Sequence, residues 1–387
     1  MSRLQESRRL GLSMKYSPDA WSRRSLLSGA AAAAGLALFP RMSALASPPG
    51  AQKPMPLGFN TYCLRAMNWR DDQSIDFAVE QNLDAIFLQD SKDPRTRDPQ
   101  HWKEVRARVQ DLGLHLETGG GSVLPKTAEE FPAKVEDLKY QIKRAKALGS
   151  PLMRCLIAGN RAQLPEGPIE QHIETMVRLL RTVRSEAMDA GVKFAVEVHK
   201  DLQAWEFKMF LDEIGTEFVG IYLDTGNPVF VLEHPLTTVE TLAPYAVTLH
   251  LRDSVVYEHP RGVALHWVPL GEGMLDFPRV MELARQHCPD VHVYAKPITG
   301  RPAEVIPYLE QDFWKSYPKA RAADLARFLA MAKKGVPYAR PIVNEDLQGR
   351  KWPDYLLPAI QHQQMDHMLR SLRYAKETLG LGVRAHS

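Results

Sequence analysis

Lys193-Phe-Ala-Val-Glu-Val-His199 is a short apolar run with a carboxylate and an imidazole near its end. Successive side chains on a strand point to opposite faces. Phe194, Val196 and Val198 therefore share the face turned to surrounding helices, and Ala195, Glu197 and His199 share the other. Ionisable groups on an inner face are costly to bury alone, so the run reads as a strand whose inner end meets a metal or a polar substrate. With this run at 194–199, further strands are expected at 57–62, 85–89, 114–117, 152–157, 219–224, 246–251 and 291–296. Helical spacing fills the gaps, as over 131–148 and over 169–188, where Ile173, Met176, Val177, Leu180 and Val183 share a face. Eight strands alternating with helices imply an α/β fold, a (β/α)8 TIM barrel, with an open doubly wound sheet as the alternative. The polar strand ends favour the barrel, which carries its active site there.

The next two strands repeat the pattern. One ends Gly220-Ile-Tyr-Leu-Asp224, placing Asp224 at an inner carboxyl end. The other reads Ala246-Val-Thr-Leu-His-Leu-Arg-Asp253, with Thr248, His250 and Arg252 inward and Val247, Leu249 and Leu251 outward. Any one of Glu197, Asp224 and His250 alone reads as a hydrogen-bonded barrel residue. Delivered to one mouth by consecutive strands, two carboxylates and an imidazole suit Mn2+, Zn2+, Co2+ or Mg2+.

The chain is 387 residues long, 44% hydrophobic and 25% charged, which excludes disordered and fibrous classes. Residues 1–46 hold seven of the basic groups and two of the acidic ones, leaving 42 basic against 44 acidic in the body. The overall charge of +3 thus belongs to the leader, and no basic field attracts nucleic acid. Within that leader, Arg23-Arg24 precedes an apolar, alanine-rich stretch over 30–39 and an Ala44-Leu-Ala46 cleavage pattern. Such a leader reads as a signal peptide, with an apolar core shorter than the ~20 residues of a membrane span. The paired arginines resemble a twin-arginine export signal, which implies a periplasmic or secreted protein. The organisation expected is a leader over 1–46, a linker over 47–56, the barrel over 57–318 and a helical C-terminal extension over 319–387. That extension packs against the barrel or against a second copy in a homo-oligomer. Cys63, Cys155 and Cys288 show no metal-type spacing and read as buried thiols.

Four stretches, VEVHKD (196–201), YLDTGNP (222–228), TLHLRD (248–253) and VPLGEGMLDF (268–277), resemble the sugar phosphate isomerase/epimerase family of xylose isomerase-like TIM barrels. The resemblance spans about residues 57–318. It implies that Glu197, Asp224 and His250 hold a divalent cation, Mn2+ or Zn2+ ahead of Mg2+ or Co2+. It also implies that His199 and Asn227 contact substrate. The family closes its site with a glutamate on the eighth strand, but here that strand reads Val291-His-Val-Tyr-Ala-Lys296. With Val291 and Val293 outward, Tyr294 and Lys296 face in, and an ammonium stands where a carboxylate is usual. Three arrangements are open. Glu272 or Glu117 completes the metal shell; Lys296 acts as an acid or base with a lowered pKa; or Lys296 pairs with Glu197 or Asp224 and leaves a weak metal site or none.

The function implied is a metal-dependent isomerase or epimerase of a small carbohydrate, moving a proton next to a carbonyl. Glu197, Lys296 and His199 are its candidate catalytic groups; His199, Asn227, Arg252, Glu272 and Glu117 are its candidate substrate contacts. The alternatives are a 3-keto-glycoside lyase working by β-elimination on the same barrel, and a non-catalytic carbohydrate-binding barrel.

Overall fold

The computed structural model describes residues 54–89, 91–344 and 353–386. The leader read over 1–46 lies outside these described residues. The expected apolar runs form β1 (Leu57–Asn60), β2 (Ala85–Leu88), β3 (His115–Ser122), β4 (Leu152–Leu156), β5 (Lys193–Glu197), β6 (Val219–Asp224) and β7 (Ala246–Leu251). A hairpin of β8 (Asp253–His259) and β9 (Gly262–Val268) follows, and then β10 (Val293–Ala295). The order β1-β10-β7-β6-β5-β4-β3-β2 closes into a barrel. Its neighbouring strands are parallel throughout, so the chain is a TIM barrel.

Helices α1 (Asp71–Glu80), α2 (Pro99–Asp111), α3 (Phe131–Leu148), α4 (Ile169–Thr182), α5 (Arg184–Ala190), α6 (Ala204–Ile214), α7 (Pro235–Leu242) and α8 (Phe277–His287) connect the strands. Local chemistry sets their limits. Asp98 caps α2 by accepting from the Gln100 N–H, with proline at the first helical position. Gly149, at φ 77°, ends α3 in the left-handed conformation that favours glycine.

Two cores result from the alternation on each strand. Phe194, Val196 and Val198 pack outward against the helices, while Ala85, Phe87, Leu152, Ala195, Tyr222 and Tyr294 fill the barrel interior. Inside, the His250 ring stacks between Tyr222, at 3.8 Å, and Tyr294, at 4.6 Å, with Phe87 edge-on at 4.9 Å. A side chain at Gly58 would come within 2.7 Å of the Tyr294 ring, so glycine there makes room for this stack.

The hairpin is not expected from the strand spacing. Its two strands pair antiparallel, β11 (Glu304–Ile306) joins β9, and α9 (Ala322–Ala332) covers the small sheet. The aromatic run around Tyr308 to Tyr317 packs largely into this satellite core. The last helix, α10 (Leu357–Glu377), belongs to the barrel's outer layer. Met368, Leu372 and Ala375 are buried in the same core as Phe194 and Val196. Gln361 and Gln364 of α10 bond both backbone groups of Ala66, each at 2.9 Å. The C-terminal end is tied to the first strand region, the Gly382 N–H donating to the Met55 carbonyl at 2.9 Å. The tail expected as an extension thus provides the helix that follows the eighth barrel strand.

All three cysteines are free and buried. No helix among the described residues is long and apolar enough to cross a membrane.

If α10 is a barrel helix, Leu372→Ala removes core packing rather than surface contact. Equilibrium denaturation should show a loss of about 2–5 kcal/mol. A change below about 0.5 kcal/mol, the range of surface substitutions, would mean that α10 is dispensable to the barrel.

Candidate active site

Glu197 is the last residue of β5, Asp224 the last of β6, and Lys296 follows β10 directly. All three are buried. The Lys296 Nζ donates to Glu197 Oε1 at 2.8 Å and to Asp224 Oδ2 at 3.0 Å. The other oxygen of Glu197 receives Arg154 of β4, through Nε at 2.5 Å and through Nη2. Asp224 Oδ1 accepts the backbone N–H groups of Gly226 and Asn227, at 2.9 and 3.1 Å. Such a turn is a usual setting for aspartate followed by glycine. A side chain at Gly226 would lie 2.6 Å from Arg252 Cβ, so the glycine also lets Arg252 approach.

Burial alone would raise the Glu197 carboxyl, but Arg154 and then Lys296 hold it well below the usual carboxylate range. Burial pushes His199 down to about 4. His250 is held well below its ordinary value by burial, reinforced by Lys296. Both imidazoles are therefore neutral at physiological pH. Among the described residues, no partner bonds either ring nitrogen of His199, whose Nδ1 is buried.

Of the three arrangements open to Lys296, the structure holds the pairing, and it holds it with both carboxylates at once. This bears on the metal. His250 does not join Glu197 and Asp224. Its ring lies in the aromatic stack, with Nε2 3.3 Å from Thr248 Oγ1. Groups whose donor atoms lie within 4.8 Å of one another occur elsewhere among the described residues: His115, Glu117 and His292, and separately Asp71, Asp93 and His101. At the strand ends, three cationic side chains already meet two carboxylates. As arranged, that donor set does not fit a divalent ion.

The remaining expected contacts divide. His199, Arg252 and Lys296 line a cavity of about 900 Å³ over the barrel mouth, together with Glu197, Arg154 and Trp267. Asn227 sits behind it, donating to the Val198 carbonyl at 3.0 Å and accepting from Arg252 Nη1 at 2.9 Å, so it orients rather than lines. Two expectations are corrected. Glu272 is turned to the C-terminal segment, where Tyr338, Arg340 and Arg370 take its carboxylate. Glu117 lies within the barrel, accepting from Thr248 Oγ1 at 2.7 Å and lying 3.2 Å from the His115 ring. Neither lines the cavity. Two contributors go unmarked by the motifs. Trp267 comes from the hairpin. Arg154 has a readable signal, since Leu152-Met-Arg-Cys-Leu156 puts an arginine on the inward face of an apolar strand.

Residues 75–290 match the family described as xylose isomerase-like TIM barrel. The chain is 25% identical over 189 residues to the 3-oxo-isoapionate decarboxylase of Pectobacterium atrosepticum, covering 48% of this chain and 62% of that protein. The curated relatives matched are covered over only 36% and 62% of their own lengths. Among solved structures, a D-psicose 3-epimerase in the presence of D-fructose superposes with TM-score 0.52 at 16% identity, over 71% of this chain and 97% of that one. The IOLI protein with a bound zinc superposes with TM-score 0.53 at 13% identity, over 72% of this chain and all of that one. At these identities the structural likeness establishes the fold.

The Glu197 pairing makes a signed prediction. A carboxyl held below its unfolded value of 4.5 contributes stability that is complete above that pH and lost as pH falls through the folded value. Glu197→Gln should cost about 3–5 kcal/mol at pH 7 by leaving buried cations unpaired. Its deficit should narrow below about pH 4.5 in denaturation series. A deficit that stays constant down to pH 3 would mean that the pairing is not made in solution.

Proposed function

The chain belongs to the xylose isomerase-like TIM barrel family, and from that premise we propose that it is an enzyme removing a proton next to the carbonyl of a keto-sugar, with Lys296 in the place of a metal. One observation carries this reading: the Lys296 ammonium bonded to both strand-end carboxylates. An ammonium has three donors. Two are engaged, and the third is available to the carbonyl oxygen of a sugar in the cavity that Lys296 lines. Charge developing on that oxygen meets a fixed, buried cation, a setting in which such stabilisation is strong.

The base in this reading is His199. Its imidazole is neutral, has no partner among the described residues and lines the same cavity. Both oxygens of Glu197 are already taken, by Arg154 and by Lys296, so it positions Lys296 rather than accepting the proton. The proton passes from the carbon beside the carbonyl to His199, and the electron pair moves to the oxygen held by Lys296. Return of the proton to the same carbon on its other face completes an epimerisation; its return to the former carbonyl carbon, with the neighbouring hydroxyl proton passing to the former carbonyl oxygen, completes an isomerisation.

A second reading shares the enolate. If the next carbon carries a glycosidic oxygen, collapse of the enolate breaks that bond, and the departing alkoxide takes up a proton. Among the described residues His199 is the one unpartnered base lining the cavity, which favours this lyase reading, because epimerisation needs proton donors on both faces of the carbon. So does the leader, whose expected export would bring the enzyme to glycosides rather than sugar phosphates. Removal of carboxylate from a 3-oxo acid, the reaction named for the curated relative, also leaves an enolate. The competing metal reading requires a divalent cation to displace Lys296 from between Glu197 and Asp224.

The test is solvent deuterium incorporation into ketohexoses and 3-keto-glycosides, followed by NMR with and without chelator. Incorporation should survive chelation and fall by about 10²- to 10⁴-fold in His199→Gln, the range of a general base. Because the basic form of His199 is needed, kcat/KM should hold down to about pH 4 and fall below it. Release of the aglycone would select the lyase. Activity lost on chelation and restored by Mn2+ or Zn2+ would sink the lysine mechanism. Sugar binding without exchange or product would leave a carbohydrate-binding barrel.

A further inference from the structure

We infer that the sugar this site takes carries a carboxylate, received beside the Arg252 guanidinium. The inference rests on the keto-sugar reading of the same cavity and adds the substrate's charge.

The first ground is the state of Arg252. Its side chain is 3% exposed. Only Nη1 is engaged, donating to Asn227 Oδ1 at 2.9 Å and lying 3.6 Å from Asp224 Oδ2. Nε and Nη2, the two nitrogens along one edge of the guanidinium, are buried with no partner among the described residues. The Trp267 ring lies over the guanidinium, with its centroid 3.7 Å from Cζ, and fixes the plane of the group. A guanidinium edge presents parallel N–H donors that match the two oxygens of a carboxylate. A buried donor pair without an acceptor is unfavourable. Its acceptor has to come from the cavity that Arg252 lines, or the edge stays unsatisfied.

The second ground is the charge of the cluster. Arg154, Arg252 and Lys296 face Glu197 and Asp224, all five buried. The group therefore holds one uncompensated positive charge away from water, which is costly. One carboxylate cancels it. A phosphate monoester, with a charge of about −1.5 to −2, exceeds the single charge of this buried group. Around the rim, Lys200 is paired with Glu304 at 3.0 Å, while Arg301 donates to the Tyr62 hydroxyl and adds a further cation. The Trp267 Nε1 and His199 Nδ1 are further buried polar atoms without partners among the described residues.

Binding can be measured without turnover, which separates this inference from the proton-transfer reading. The probes are D-glucuronate, its neutral methyl ester, D-glucose and D-glucose 6-phosphate, titrated calorimetrically into the wild-type protein. Glucuronate should bind roughly 10- to 100-fold more tightly than its methyl ester, the range of one charge-assisted contact. The preference should disappear in Arg252→Met and survive only in part in Arg252→Lys, with the thermal midpoint of each variant recorded to show that it folds. The wild-type comparison decides the matter even if the variants do not fold. Glucuronate binding no better than its ester, or not at all, overturns the inference, as does tighter binding of the phosphate ester. Carboxylate selectivity without solvent exchange would retain this inference and remove the enzymatic reading.

Discussion

The Lys296 ammonium held between Glu197 and Asp224 organises the mouth of the barrel. Two carboxylates brought that close repel unless something positive lies between them. In this chain the eighth strand supplies the charge itself. Arg154 then takes the far oxygen of Glu197, and Asn227 steadies both Glu197 and Arg252. Buried ion pairs of this kind seldom add much net stability, because desolvation offsets the attraction. Their worth here lies in geometry. They fix an ammonium and two guanidinium groups around one cavity, at a cost that a purely structural core would avoid.

Beneath that charged layer the barrel is closed by aromatic rings. Tyr222, His250 and Tyr294 lie nearly parallel, with Phe87 against their edges. This floor carries the His250 that the motif would assign to a metal. A ring packed on both faces keeps its place without a ligand. The same low-dielectric floor strengthens the charges above it and keeps His199 and His250 in their neutral forms.

The eight barrel strands were legible because each is a short apolar run set between stretches of helical spacing, and the alternation of faces along a strand needs no tertiary information. Glu197, Asp224, His199, Arg252 and Lys296 were legible for the same reason: each sits at an inward position near a strand end. What they touch was not. A lysine replacing a glutamate announces itself in the sequence, yet whether it displaces a metal or sits beside one depends on distances no spacing encodes. Glu272 looked inward by its place in a Gly-Glu-Gly loop, but Arg370 and Tyr338, about a hundred and about seventy residues later, decide its direction. The hairpin after Leu251 was hidden because Thr248 to Val268 reads as one strand followed by loop motifs. The role of α10 was hidden because an amphipathic helix does not say which surface it covers.

The stitch between Gly382 and Met55 says something about how the barrel comes into being. β1 and β10 are hydrogen-bonded neighbours although more than two hundred residues separate them, and α10 must dock beside them. Until β10 exists, the growing sheet has two raw edges with unpaired backbone groups, the surfaces most prone to join another chain. Contacts this distant in sequence also slow folding. Nascent chains are therefore open to such pairing until β10 has been made. The same adjacency makes the barrel's ends interchangeable: a short link between residues 55 and 382, with a new opening in a surface loop, leaves every strand pairing in place.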